Sequence, residues 1–409
     1  MTAGIAARLA RLDPAWRHGL SAYAVVRLLL VALSALVLLV YPGSLDPQSA
    51  YRERLGLPAT DTVLGKALWG VWLRWDTLWY LRYAHDGLLP AGDPEYRAFW
   101  PLYPWLIRAA APLLGGSYLA AGLLIANLAL LAGAVLFYRL AEIEAGAGVA
   151  RRGTWYMLLF PSAFFFFAAY SESVFLLLSV AAFLAARRGR WGWAGLWVAG
   201  AAMVRIPGAF AIPALGFEYL RQRCGGRGWA ALQDARWWGK TVAGGWPFAL
   251  MIAGAAFTPA YTALFLGGGQ VDTVVEFHVR TAVAGAGIVY PWQALAEAFG
   301  ALVDGQFYAI QPVDLAVTLL FLGLTVLAFR HLPASYGIYM TVTMAALLAR
   351  SIPQQPLISA SRYVLALFPG FIVLGQLGRA GWRNRLILYP SLLGLGLMAG
   401  EFMIGGYVG

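Results

Sequence analysis

The chain has 409 residues, 61% of them hydrophobic and only 12% charged, where soluble domains carry about 25% charged residues. That balance excludes a soluble or disordered chain and points to an all-α polytopic membrane protein, read as one domain over residues 1–409. The net charge of +11 is not a nucleic-acid footprint, because the arginines cluster at the ends of apolar runs, on one side of the expected membrane.

Residues 1–19 carry Arg8, Arg11 and Arg17, and residues 20–41 read as the first membrane helix. The run is about long enough to span a bilayer. No A-x-A site follows it, so it is expected to remain uncleaved, with a cytoplasmic N-terminus. Residues 42–117 then form a large first extracytoplasmic loop carrying amphipathic helices. Residues 118–138 return to the cytoplasm at Arg139. Residues 153–169 cross outward and 173–186 cross back to Arg187, Arg188 and Arg190. The hinge between them holds Tyr170, Ser171 and Glu172.

Residues 191–217 are bounded by basic loops at both ends, which a single crossing cannot satisfy under the positive-inside rule. The run also carries Arg205-Ile206-Pro207-Gly208 at its middle. Proline breaks a helix, and a charge at bilayer depth needs a cavity or a partner. The expected path is a re-entrant pair of short helices meeting at Arg205. Residues 241–266 cross outward, and 267–311 make a second extracytoplasmic segment with His278 and Arg280. Residues 312–330, 334–349, 363–377 and 386–404 complete a bundle of about eleven transmembrane elements. The one cysteine, Cys224, excludes an intramolecular disulfide.

The stretch 69–108 is unlike the rest, mixing carboxylates, arginines and dense aromatics. A helix over 72–86 places Trp72, Asp76, Trp79, Tyr80 and Tyr83 on one face, with Arg74, Leu78 and Arg82 on the other. Such aromatics settle at a membrane interface and also offer flat faces for a sugar ring. A carboxylate among them loses water and becomes a better proton acceptor. The same pattern suits a plain interfacial anchor, and spacing alone leaves both readings open.

Other candidates carry the same duality. Arg205 suits a lipid phosphate leaving group, or it caps carbonyls freed at the helix break. Arg362, beside Tyr363, follows Ser359-Ala360-Ser361 and could hold a phosphate or be an ordinary interfacial arginine. His278 and Arg280 share a face only if that segment is extended. Glu172 suits a helix start on dipole grounds alone. Asp93-Pro94-Glu95 lacks the third carboxylate a cation site wants. The chain has no GxxxxGK[ST] or GxGxxG, so no nucleotide site is expected, and no cofactor or metal is expected either.

In order, RWDTLWYLRYAHDGL, AFWPLYPWLIR, LFPSAFFFFAAYSESVFLLLS, MVRIPGAFAIPAL and SRYVLALFPGFIVLG resemble the PIG-V family of mannosyltransferases, over about residues 70–378. Eukaryotic members add the second mannose to glycosylphosphatidylinositol precursors. The resemblance implies a GT-C bundle and a polyprenyl-phosphate-mannose donor. It further implies transfer with inversion at the extracytoplasmic face of an integral plasma-membrane protein. It makes Asp76 the catalytic base. It puts Arg205, Arg362 and Tyr363 at framework or donor-phosphate positions, and charge alone adds Arg280 as a further candidate for the departing phosphate. Trp75, Trp79, Tyr80, Tyr103, Tyr170, Glu172 and His278 become candidates for holding substrate or acceptor. Trp100 stands where the family's FPLYP segment has Phe. Abundant Arg, Ala and Gly beside two lysines fit a bacterial member, whose acceptor, a lipid-linked glycan or another, does not carry over. The competing expectations are a GT-C enzyme moving another polyprenyl-linked sugar, and a lipid or sugar transporter using Arg205 at the midplane.

Overall fold

Apolar runs with no water to satisfy their backbone must close their own hydrogen bonds, and they do so as helices. In the computed structural model, which describes residues 12–41, 62–87, 99–266, 287–351 and 355–408, the regular secondary structure is helical, with turns and short irregular stretches between the helices. The exception is a two-residue antiparallel ladder pairing Gly287–Ile288 with Arg350–Ser351. Four helices are long and apolar enough to cross a membrane: Pro14–Val40, Tyr118–Ala145, Gln311–His331 and Gly381–Ile404. Two bent helix pairs raise the total to six, so the protein is multi-pass. Local chemistry sets the ends. Asp13 accepts from the Ala15 N–H at 3.0 Å with Pro14 next to it, and Ser117 accepts from the Ala120 N–H.

Three expected straight spans come out differently. In place of 153–169 there is a helix Ala147–Leu158, then a turn at Pro161 and a 3-10 turn Ala163–Phe166. Proline supplies no N–H and disfavours helix before it. The run 241–266 is Ala235–Ala243 followed by Trp246–Leu266, bent by 52° at Gly244-Gly245. The run 363–377 is Ala360–Ala366 followed by Phe368–Leu377, bent by 88°. Pro369 falls in the first turn of the second piece, where its missing N–H is not needed.

The chain divides into two compact units. The first gathers Met1–Gly87, Pro104–Leu177 and Phe371–Val408. Its long helices are Pro14–Val40, Tyr118–Ala145 and Gly381–Ile404. Polar ties hold them in an apolar interior. Tyr23 donates to Asn127 Oδ1 at 3.1 Å, and Asn127 donates to the carbonyls of Leu123 and Phe167. Tyr156 donates to Asn384 Oδ1 at 2.6 Å.

The second unit gathers Leu88–Tyr103 and Leu178–Gly370. Within it Trp191–Val204 lies along Trp246–Leu266 so closely that a Cβ on Gly254 would stand 2.3 Å from Ala199 Cα. Small residues permit that approach between membrane helices. A polar knot closes one end. The carboxylate of Glu218, 1% exposed, takes Arg187 Nη1 at 2.9 Å, Arg221 Nη2 at 2.7 Å, Gln222 Nε2 at 2.8 Å and Ser335 Oγ at 3.4 Å. Burial raises the affinity of Glu218 for a proton, but the bonds from Arg221 and Gln222 and the charges of Arg221 and Arg187 outweigh it and hold its pKa below the usual range. Beside the knot the Trp191 ring meets Tyr219 edge-on at 4.9 Å, so the run from 191 to 217 starts and finishes at one place.

Candidate functional site

Asp76 is the first residue of the helix Asp76–Asp86. The expected helix over 72–86 is therefore shorter than its aromatic periodicity suggests. Gly70–Trp72 is a separate 3-10 turn, and Trp75 breaks the path with φ 48° and ψ −122°. Side chains rarely adopt that conformation, and it persists only where surroundings enforce it. The break changes what faces what. Arg74 is not on the helix but buried, 4% exposed, with Nη2 donating to the Met403 carbonyl at 3.2 Å.

The Tyr170 hydroxyl straddles the break. It accepts from the Asp76 N–H at 3.2 Å and donates to the Arg74 carbonyl at 3.3 Å. Phe165 and Phe402 pack against Tyr170, which is fully buried, and Phe164 packs against both of them. Tyr80, on the same helix as Asp76, meets Ser171 Oγ at 2.7 Å and stacks edge-on with Tyr170 at 6.2 Å. Glu172 opens the next helix, Glu172–Arg187, and is buried. The hinge at Tyr170, Ser171 and Glu172 is buried within the protein, and its tyrosine and serine fasten the start of the Asp76 helix. Asp76 itself is half-buried, Trp75 is 42% exposed, and Trp79 lies under Arg82 at 4.9 Å.

The second unit holds the arginines. Arg205 lies between Trp191–Val204 and Ala211–Cys224, in extended conformation before the turn Ile206–Gly208. Its guanidinium sits 5.5 Å from the Tyr363 ring centre. Arg362 is 6% exposed on the short helix Ala360–Tyr363. Leu357 and Ser359, just before it, have φ of 64° and 61°. Among the described residues only Trp75, Leu357 and Ser359 are non-glycine with positive φ, and they adjoin Asp76 and Arg362. Tyr103 is fully buried on Leu102–Ala110. His278, Arg280 and the pair Asp93 and Glu95 lie outside the described residues.

Three residues escaped the sequence reading. Asp314, 1% exposed near the start of Gln311–His331, accepts from the Ser361 N–H at 2.7 Å. It anchors the turn that carries Arg362. Asp314→Leu would leave that N–H buried and unmet, and should lower stability by about 1–3 kcal/mol in thermal unfolding. Asp314→Asn keeps an acceptor oxygen and should lose less. Arg27 stands midway along Pro14–Val40 with its guanidinium 5.3 Å from the Trp72 ring. A lone charge in an apolar run was the available signal for both. Glu218 was a single acid among arginines, read as part of a basic loop.

Gly208 explains how Arg205 is presented. A Cβ there would stand 2.3 Å from the backbone of Ala201 and Ala202. Gly208→Ala should therefore open the turn, lower thermal stability by about 1–3 kcal/mol and reduce turnover.

Among the described residues no group of three or more His, Cys, Asp or Glu is placed to hold a metal ion. No curated protein and no solved structure matches the chain. A family model described as Mannosyltransferase (PIG-V) matches residues 17–229, which contain Asp76, Tyr170, Glu172 and Arg205 but not Arg362 or Asp314. Family membership decides for a transferase over a transporter. With more than half of its length matched, the chain belongs to the PIG-V mannosyltransferase family and is a membrane glycosyltransferase.

Proposed function

We propose that the protein moves mannose from a polyprenyl-phosphate donor to a lipid-linked glycan or another extracytoplasmic acceptor, with inversion. Asp76 takes the proton of the acceptor hydroxyl. The oxygen attacks mannose C1 on the face opposite the phosphate. The bond from C1 to the phosphate oxygen breaks, and the departing polyprenyl phosphate keeps the electron pair. Arg205, Arg362 and Arg280 balance its charge, with Tyr363 beside them. Trp75, Trp79 and Tyr80 offer faces and edges for the sugar. Tyr170 and Glu172 support that helix, and His278 and Tyr103 complete the substrate set. The scheme needs no cofactor and no divalent metal.

The observation that carries this reading is where backbone strain falls. Strained dihedrals gather at sites whose geometry matters more than local comfort, and here they adjoin Asp76 and Arg362. The architecture that goes with it is a GT-C bundle of about eleven elements in a plasma membrane, with the site on the extracytoplasmic side. The meeting of Trp191 with Tyr219 and of Arg187 with Glu218 supports a re-entrant path for 191–217.

The test is transfer from radiolabelled polyprenyl-phosphate-mannose into lipid or protein, in proteoliposomes holding the full chain. Label should move from the mannose carrier and not from the glucose or arabinose carriers. Transfer from a nucleotide-linked mannose alone would remove the lipid donor from the scheme, and preference for another carrier would change the sugar.

A further inference from the structure

We infer that the segment Met403–Tyr407 is a positioning clamp for Asp76. The inference deepens the reading above and rests on it for what Asp76 does.

Helix Gly381–Ile404 ends at Gly405, whose φ of 95° needs glycine. The N–H groups of Gly405 and Gly406 donate to the carbonyls of Phe402 and Glu401, and the chain turns there. The turn delivers three atoms or rings to the dipeptide before Asp76. The Met403 carbonyl accepts from Arg74 Nη2 at 3.2 Å. The Gly406 carbonyl accepts from the Trp75 indole N–H at 3.0 Å. The Tyr407 ring meets the Trp75 ring edge-on at 5.3 Å. Tyr170 grips the other side, at the Arg74 carbonyl and the Asp76 N–H.

The residue so held is the strained one. A tryptophan at φ 48° and ψ −122° relaxes by rotating those two dihedrals. Asp76 follows directly as the first helical residue, so any such rotation swings its carboxylate and the helix start. The clamp grips the indole and its neighbour, the groups that would move. Its members reach Asp76 only through Trp75 and Arg74, so they act as positioning residues.

The experiment compares the full chain with Tyr407→Ala, each carrying Trp, Gly or Ala at 75. Glycine adopts the strained dihedrals freely and alanine does not. Trp75→Gly should therefore unfold at a higher temperature than Trp75→Ala. The clamp acts through the indole, so Tyr407→Ala should lower the unfolding temperature with Trp at 75 and leave it nearly unchanged with Gly at 75. With Trp at 75, Tyr407→Ala should also lower kcat by about 10- to 100-fold, as misplacement of a catalytic group does, with a smaller change in donor KM. Alanine as stable as glycine at 75, or a loss from Tyr407→Ala as large with Gly at 75 as with Trp, overturns the clamp without reference to activity. A normal kcat in Tyr407→Ala, alongside an inactive Asp76→Asn, also overturns it and leaves the base in place. An active Asp76→Asn removes the base, and the clamp then stands or falls on the stability comparison alone.

Discussion

Asp76→Asn is expected to lower mannose transfer by about 10²–10⁴-fold, the usual contribution of a positioned general base, with little change in stability. Asparagine matches the shape of aspartate and cannot take the acceptor's proton. The structure gives reason to expect a folded variant. The fastening of Asp76 by Tyr170 goes through the backbone N–H, which the substitution keeps. What is lost in stability is the favourable charge at a helix start, about 0.3–1 kcal/mol. Rate and stability are thus separable, and initial rates beside thermal unfolding of the same preparation read both. Retained activity would move the base to Glu172 or to Asp86, which is held by His85 Nδ1 at 2.6 Å.

Glu218→Ala is expected to be the most destabilising single change, by about 3–5 kcal/mol, as is usual when one partner of a buried ion pair is removed. The carboxylate is almost fully enclosed and joins Glu172–Arg187, Ala211–Cys224 and Ala334–Leu348 through Arg187, Arg221 and Ser335. Arg221→Ala should cost less, because its side chain is 45% exposed and is met by water when free. The pH dependence follows from the lowered pKa of Glu218. A carboxylate whose folded value lies below its unfolded one adds stability above the unfolded value. That stability is lost as pH falls through the folded one. Wild type should therefore lose unfolding temperature on acidification below the ordinary carboxylate range, and Glu218→Gln should lose less. Equal acid sensitivity in the two proteins would refute the assignment.

The sequence made legible what depends on apolar length and on proline. The runs 312–330 and 334–349 became helices with ends within a residue of those expected, and Pro207 marked the break at Arg205. What it hid was set by tertiary contact. The aromatic period over 72–86 continues through Trp75 although the helix does not, because the force that bends the chain there comes from Tyr170 and Tyr407, far away in sequence. Asp314 and Arg27 were visible as charges but not as parts of the site. Their importance lies in one backbone N–H and one indole ring, and no spacing rule reports either.

The contact between Arg27 and Trp72 has a consequence for biosynthesis. Insertion of a helix with arginine at its centre costs about 2.5–3.5 kcal/mol. The ring that meets Arg27 is 45 residues further along the chain, several seconds of synthesis at about 5–20 residues per second. For that interval the first helix carries its charge without its ring. A nascent chain stopped before Trp72 should leave this helix easily extracted from the membrane, and a chain stopped well beyond it should hold it firmly. Seating of the first helix is then a late event, timed by the arrival of the stretch that carries Trp72 and Asp76.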